Sequence, residues 1–225
     1  DSGSSRGLGD VYKRQVIKKW KMTMKKMPDF IEVYDNALTS KDCKNVIKDF
    51  ESNPDRHDTT VHVKGRECTT VFRAFNNIQD QKTNEIVLGG LKKPIDDYVR
   101  THSRLINDVA PMMPFFGYNV QKYTPGEAYH KSHCENDGVA FQRVLAWMFY
   151  LNTVEDEGGT YFEQYDKTVN ATRGRCVVWP AYWTHFHNGI ASKTETKYII
   201  TGWMVFRHLM AVSYTHLRAH ETIHY

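Results

Sequence analysis

Cysteine is scarce in this chain. Only four of the 225 residues are cysteine, and they stand far apart at Cys43, Cys68, Cys134 and Cys176. None has the C-x-x-C spacing of a structural zinc knuckle, and a disulfide framework needs a denser pattern than this. The scarcity excludes a disulfide-rich secreted protein and favours a reduced, cytoplasmic compartment.

Long apolar runs and a surplus of one charge are also lacking. No stretch approaches the roughly 18 to 20 consecutive apolar residues that a membrane-spanning helix requires. The 30 Lys and Arg residues exceed the 26 Asp and Glu residues by only four, which is too few to indicate a nucleic-acid surface. Neither a membrane nor nucleic acid is therefore an expected partner.

The two ends of the chain differ from its middle. Residues 1–15 are rich in Gly and Ser, and residues 211–225 carry three histidines at four-residue spacing. Both ends resemble translated adapter sequence, so we expect non-native tails and assign them no chemistry. Residues 16–26 are basic and lack the apolar core of a secretory signal, and we interpret them as a candidate leader. The remaining residues, 27–210, have the size of one domain with a substantial core.

Helical periodicity is confined to the first half of this domain. Apolar residues at i, i+3, i+4 and i+7 predict an amphipathic helix over 39–52, capped by Thr39, and a second helix is predicted over 82–106. The β-branched and aromatic runs predict strands over 30–33, 116–124, 143–152, 159–165, 175–179, 184–191 and 196–206. Helices followed by many short strands predict an α+β chain, mainly β, whose second half is a sandwich or barrel.

Two histidine-containing segments indicate a metal site. His133 and Glu135 are two residues apart, and on extended backbone residues i and i+2 project to the same face. Asp137 is an alternative oxygen donor. A later predicted strand carries His185 and His187, which share strand parity, so either can complete the set. Two imidazoles, one carboxylate and open positions form the facial triad of non-haem iron(II) enzymes.

Further residues follow in an order typical of one family. The order is Tyr123 and Gly126 ahead of His133-x-Glu135, Arg143 leading a strand that ends at Tyr150-Leu151-Asn152, Gly158-Gly159-Thr160 with Phe162, Gly174 before an apolar strand, and then His187, Lys197 and Trp203. From about residue 123 to residue 206 the chain resembles the iron(II)/2-oxoglutarate-dependent dioxygenases, specifically the short prolyl 4-hydroxylase-like form of bacteria and phages. This resemblance implies a double-stranded β-helix, or jelly roll, flanked by the N-terminal helices.

The resemblance also implies the metal ligands. His133, Glu135 and His187 are the expected catalytic and Fe(II)-binding residues. We prefer His187 to His185 because the family's distal histidine stands about ten residues before a basic anchor, and Lys197 is ten residues after His187. Glu135 departs from the family, whose usual acid at this position is aspartate. The spacing from Tyr129 to His133 is one residue longer than usual, which leaves the role of Tyr129 open.

The expected cofactor site follows from the same resemblance. Lys197 is expected to pair with the distal carboxylate of 2-oxoglutarate, assisted by the hydroxyls of Tyr123, Tyr150 and Thr201. Last-strand alternation supports an inward ammonium, and a buried cation requires an anionic partner. Fe(II) and ascorbate are the implied cofactors, with 2-oxoglutarate and O₂ as co-substrates.

The implied activity is hydroxylation of an unactivated C–H bond with release of succinate and CO₂. Peptidyl proline is the leading substrate, although a small molecule is also compatible, and loops 55–80 and 136–142 are expected to carry recognition. A cupin-type metal enzyme is an alternative because His185-x-His187 is an H-x-H motif, but no acid stands three or four residues further on. A non-catalytic jelly-roll binding module with a degenerate metal site is the second alternative.

Overall fold

The structure is a computed structural model. It describes residues 28–58, 68–104, 111–138, 140 and 142–207. The predicted tails, 1–15 and 211–225, and the candidate leader lie outside these residues.

The described part of the chain forms two α-helices and nine strands. The helices are α1 (Ser40–Glu51) and α2 (Gln81–Thr101). The strands are β1 (Glu32–Tyr34), β2 (Thr69–Ala74), β3 (Met112–Tyr123), β4 (Arg143–Tyr150), β5 (Thr160–Phe162), β6 (Lys167–Val169), β7 (Cys176–Pro180), β8 (His187–Gly189) and β9 (Lys197–Phe206). Among these described segments, neither helix combines the length and the apolar character that crossing a bilayer requires.

The strands form two antiparallel sheets. The larger sheet has six strands in the order β1-β7-β4-β9-β3-β2, and the smaller has three in the order β6-β5-β8. The sheets pack against each other through a shared apolar cluster that includes Phe162 of β5 and Trp179 of β7, whose ring centroids are 5.5 Å apart. Two packed antiparallel sheets with two helices agree with the predicted α+β, mainly β class.

The outer face of the larger sheet is covered by the helices. Helix α1 begins after Thr39, whose hydroxyl accepts the Asp42 N–H at 3.1 Å and donates to the Asp42 carboxylate at 2.6 Å. The predicted cap is therefore present, with Asp42 contacting the hydroxyl of Thr39. Helix α1 buries Val46 and Phe50 in a cluster with Trp147 of β4. Burial of each such side chain contributes about 1.5–3 kcal/mol to the free energy of folding, so helix α1 is held firmly against the outer face of the sheet.

The alternation of β9 separates the two faces. Ile200 and Met204 pack on the helix side of the larger sheet. Lys197, Thr201 and Trp203 point to the opposite face and line a cavity between the sheets. The period of two thus places charged and polar groups of β9 inside the fold.

One strand prediction and one loop prediction are wrong. The strand predicted over 184–191 is confined to β8, because Trp183–His185 form a 3₁₀ turn. His185 therefore does not share strand parity with His187. The segment predicted as a loop over 55–80 contains β2, which pairs with β3 along its whole length. Helix α2 ends at Thr101, and the predicted end at residue 106 lies outside the described residues.

Gly174 is a position where the fold requires glycine. Its φ is +78°, and a Cβ there would lie 2.3 Å from the carbonyl oxygen of Leu38, whose own N–H donates to the Gly174 carbonyl at 3.1 Å. Gly126 has a similar φ of +87° but open space around its Cβ position. Comparing an alanine substitution at each glycine therefore distinguishes the energetic cost of a left-handed backbone from the cost of a steric clash.

We expect Gly174→Ala to lower the free energy of unfolding by about 3 kcal/mol, because the left-handed penalty and the steric overlap add. Gly126→Ala should cost about 1 kcal/mol, since only the backbone term applies. Urea denaturation of both variants measures the difference. Equal losses would contradict a tight approach of Gly174 to Leu38.

Candidate metal centre

The two histidines of the site are joined through their backbones. The His133 N–H donates to the His187 carbonyl at 3.0 Å, and the His187 N–H donates to the His133 carbonyl at 2.9 Å. Directly opposite residues of an antiparallel pair present their side chains on one face. The two imidazole centroids consequently lie 4.5 Å apart.

Backbone carbonyls determine which imidazole nitrogens are free. Nδ1 of His133 lies 2.9 Å from the Lys131 carbonyl oxygen, and Nδ1 of His187 lies 2.9 Å from the His185 carbonyl oxygen. A carbonyl oxygen only accepts, so each Nδ1 carries the proton and each Nε2 presents its lone pair. This tautomer is the one that a metal-binding histidine needs.

Glu135 completes a set of three ligand atoms. Its Oε1 lies 3.7 Å from Nε2 of His133 and 3.5 Å from Nε2 of His187. The three side chains offer atoms that all lie within 4.8 Å of one another, and no other such group of His, Cys, Asp and Glu occurs among the described residues. Two neutral imidazoles and one carboxylate fit a first-row divalent metal such as Fe(II).

The charge state of Glu135 also fits a metal ligand. Burial by itself raises the pKa of Glu135, but His133 and His187, in the protonated form that they can adopt without a metal, outweigh it through hydrogen bonds and charge and hold the pKa of that carboxyl well below its usual range. The carboxylate is therefore ionised at neutral pH.

Neither alternative for this site, His185 or Asp137, belongs to the group of three ligand atoms, although Asp137 lines the same cavity. Nε2 of His185 is 2.8 Å from the Asp29 carbonyl oxygen, and its ring packs on Tyr165 with centroids 5.0 Å apart. Asp137 accepts the Ala140 N–H at 3.1 Å. The structure brings His187, and not His185, to Glu135. The H-x-H motif on which the cupin alternative depended does not gather both histidines at one point.

Lys197 lies in the same cavity as the three ligand residues. Its side chain is 4% exposed, its ammonium donates to the Ile190 carbonyl at 3.3 Å, and Nζ is 5.0 Å from the ring centroid of Tyr123. Among the described residues, no carboxylate pairs with this ammonium. Burial lowers the pKa of Lys197 from 10.5 to about 8. A buried cation of this kind favours an anionic ligand.

The three hydroxyl residues proposed to assist Lys197 also line this cavity. They are Tyr123, Tyr150 and Thr201. The Tyr123 hydroxyl donates to the Gln121 side-chain oxygen at 3.2 Å. The Tyr150 hydroxyl donates to the Val169 carbonyl at 3.1 Å and lies 2.7 Å from the Thr160 hydroxyl. Tyr150 has one hydroxyl hydrogen to donate, and both of these contacts are within the protein.

Sequence reasoning left several cavity residues without a role. Tyr129 stacks on His133 with ring centroids 3.7 Å apart, despite the longer spacing between them. Asn119 and Gln121 line the cavity beside Tyr123. Their period-two spacing along β3 is a signal that could have identified them. Arg143, named from the sequence only as the start of a strand, lies at the cavity wall.

Comparison with protein families agrees with this geometry. Residues 118–205 match the model of the 2OG-Fe(II) oxygenase superfamily. This span contains His133, Glu135, His187 and Lys197. No curated protein matches the chain in sequence.

Solved structures share this fold. The viral collagen prolyl hydroxylase of Paramecium Bursaria Chlorella virus-1, in its 2OG complex, aligns with a TM-score of 0.59 at 17% identity over 78% of this chain and 95% of that chain. A Pseudomonas putida prolyl-4-hydroxylase aligns with a TM-score of 0.60 at 12% identity over 80% of this chain and 94% of that chain.

A third structure extends over more of the chain. A Trichoplax adhaerens prolyl hydroxylase, in complex with a hypoxia inducible factor oxygen degradation domain peptide fragment, aligns with a TM-score of 0.61 at 15% identity over 93% of this chain and 98% of that chain. At these identities the likeness shows the fold, and it confirms the predicted double-stranded β-helix. The family match places residues 118–205 of this chain in the 2OG-Fe(II) oxygenase superfamily, the 2-oxoglutarate-dependent dioxygenases, and the fold of the described residues agrees with that match.

Proposed function

We propose that this protein hydroxylates an unactivated C–H bond of a peptidyl proline while oxidising 2-oxoglutarate to succinate and CO₂. One observation carries the proposal: a single cavity holds the three ligand residues and a buried ammonium that has no carboxylate partner among the described residues. The first feature suits a divalent metal and the second suits a dicarboxylate.

His133, Glu135 and His187 would hold Fe(II). When bound, the iron supplies the redox chemistry that couples O₂ to the oxidation of 2-oxoglutarate. The chain itself prepares the ligands, because the Lys131 and His185 carbonyls hold both Nδ1 protons and leave both Nε2 atoms available. Preset tautomers reduce the reorganisation that metal binding requires.

Lys197 would bind the distal carboxylate of 2-oxoglutarate. Its ammonium lies beside the Tyr123 ring, and burial makes an ion pair there stronger than at a surface. Tyr123 and Thr201 line the same wall and present hydroxyls that can orient the carboxylate. Met148 and Trp179 supply apolar walls that limit water around the reacting groups.

A row of opposed residues connects the cavity to β2, the last strand of the larger sheet. Met148, Thr201, Asn119 and Phe72 lie opposite one another across β4, β9, β3 and β2. The first three line the cavity, and Phe72 is 54% exposed on the last strand of the sheet. An exposed aromatic side chain in line with the cavity supports an extended substrate, and the prolyl hydroxylase neighbours support proline as the residue modified.

We expect the purified protein to form succinate from 2-oxoglutarate only when Fe(II) is added, and to form it faster with a suitable proline peptide. Ascorbate is included because it would keep the iron reduced between turnovers. Mass spectrometry of a peptide array should show a gain of about 16 Da on proline, the mass of one oxygen atom. Absence of Fe(II)-dependent succinate would contradict the oxygenase activity. Succinate without product on any proline peptide would contradict only the substrate.

A further inference from the structure

The outer oxygen of Glu135 is held by two side chains that are not metal ligands. Oε2 accepts the indole N–H of Trp203 at 2.7 Å. Nη1 of Arg143 lies 3.5 Å from Oε2 and donates to the Glu135 carbonyl at 3.1 Å. The Arg143 guanidinium carbon is also 3.6 Å from the Trp203 ring centroid. Trp203 and Arg143 therefore form one stacked unit around Glu135.

The indole contact of Trp203 differs from that of the other tryptophans in the core. The indole N–H groups of Trp147 and Trp179 are buried and have no hydrogen-bond partner among the described residues. Trp203 alone of these three directs its donor to a carboxylate. A charged acceptor makes this bond one of the stronger contacts of its kind.

The two carboxylate oxygens of Glu135 thus have different partners. Oε1 faces Nε2 of His133 and His187, and Oε2 faces Trp203. A glutamate carboxyl otherwise rotates in a broad, two-fold well and can present either oxygen. We infer that the Trp203–Arg143 pair is a positioning device that fixes Glu135 so that this longer acid presents Oε1 to the metal.

This positioning by Trp203 and Arg143 requires the longer side chain of glutamate. Shortening the acid to aspartate withdraws the carboxyl by about 1.5 Å, one C–C bond. A carboxyl withdrawn by that length cannot contact both the indole N–H and the two imidazoles from the same backbone position. Trp203 and Glu135 should therefore be energetically coupled, and a double-mutant cycle measures such coupling directly.

We expect Trp203→Phe to weaken Mn(II) binding by about tenfold or more, the usual cost of removing a group that orients a metal ligand. The phenyl ring still covers the Arg143 guanidinium, so the change removes mainly the donor. In a Glu135→Asp background the same change should weaken binding by less than about twofold, because the aspartate does not reach the indole. Mn(II) affinity is measured by electron paramagnetic resonance of the free ion.

Trp147→Phe is the matched control, since it removes an unpaired indole from the helix side of β4 and should leave Mn(II) affinity unchanged. This inference rests on the metal site proposed above. Failure of the wild type to bind Mn(II) would overturn that site. Normal wild-type binding with no loss in Trp203→Phe, or with equal losses in both backgrounds, would overturn only the positioning role. If Trp203→Phe does not fold, Arg143→Met tests the other half of the pair with the same cycle.

Discussion

We expect His187→Ala to abolish both metal binding and the release of CO₂ from 2-oxoglutarate in the absence of substrate. The loss should exceed the roughly 10–100-fold that removal of an outer partner of a ligand costs. His187 contributes one of only three ligand atoms and approaches Oε1 of Glu135 to 3.5 Å. The remaining pair, His133 and Glu135, binds a divalent metal too weakly to hold it during turnover.

His185→Ala is the control for this result. The His185 side chain contacts the Asp29 carbonyl and the Thr184 hydroxyl, and only its backbone carbonyl contacts His187. The carbonyl survives the substitution, so metal affinity and CO₂ release should persist while stability falls. Isothermal titration with Mn(II) and assay of labelled CO₂ give the two readouts. Retained turnover in His187→Ala, together with its loss in His185→Ala, would reverse the assignment.

The sequence contains the information that places most residues of the candidate site. The alternation of β9 correctly puts Lys197, Thr201 and Trp203 on one face, because an extended strand has a fixed period of two. The same argument failed for His185. That residue lies in the 3₁₀ turn Trp183–His185, where strand parity does not apply.

Other features depend on contacts that no local pattern reveals. Arg73 lies in the segment predicted as a loop over 55–80, yet it is 1% exposed and pairs with Asp80 and, at 2.7 Å, with Asp49. The bond from Trp203 to Glu135 joins residues 68 positions apart. Such pairings follow from the assembled sheet, so they are visible only once the strand order is known.

Lys197→Met should weaken 2-oxoglutarate binding by about 30-fold or more, the lower range for removing one member of a buried charge pair. Calorimetry on the Mn(II)-loaded protein without O₂ measures this affinity. Because burial lowers the pKa of Lys197 to about 8, wild-type affinity should be constant below pH 8 and decline above it. Lys197→Arg keeps its charge and should lose that pH dependence. A flat wild-type profile would argue against Lys197 as the anchor.

Lys197→Met should weaken ligand binding but stabilise the protein in the absence of ligand. A pKa lowered from 10.5 to about 8 means that burying this ammonium costs about 3 kcal/mol at neutral pH. Lys197→Met should therefore raise the free energy of unfolding by about 1–3 kcal/mol without ligand. Since the unfolded chain binds the proton more tightly, wild-type stability should rise from pH 8 towards 10.5, and the variant should lack that rise. Stability gained together with affinity lost identifies a group retained for binding; a variant that loses both would assign Lys197 a structural role instead.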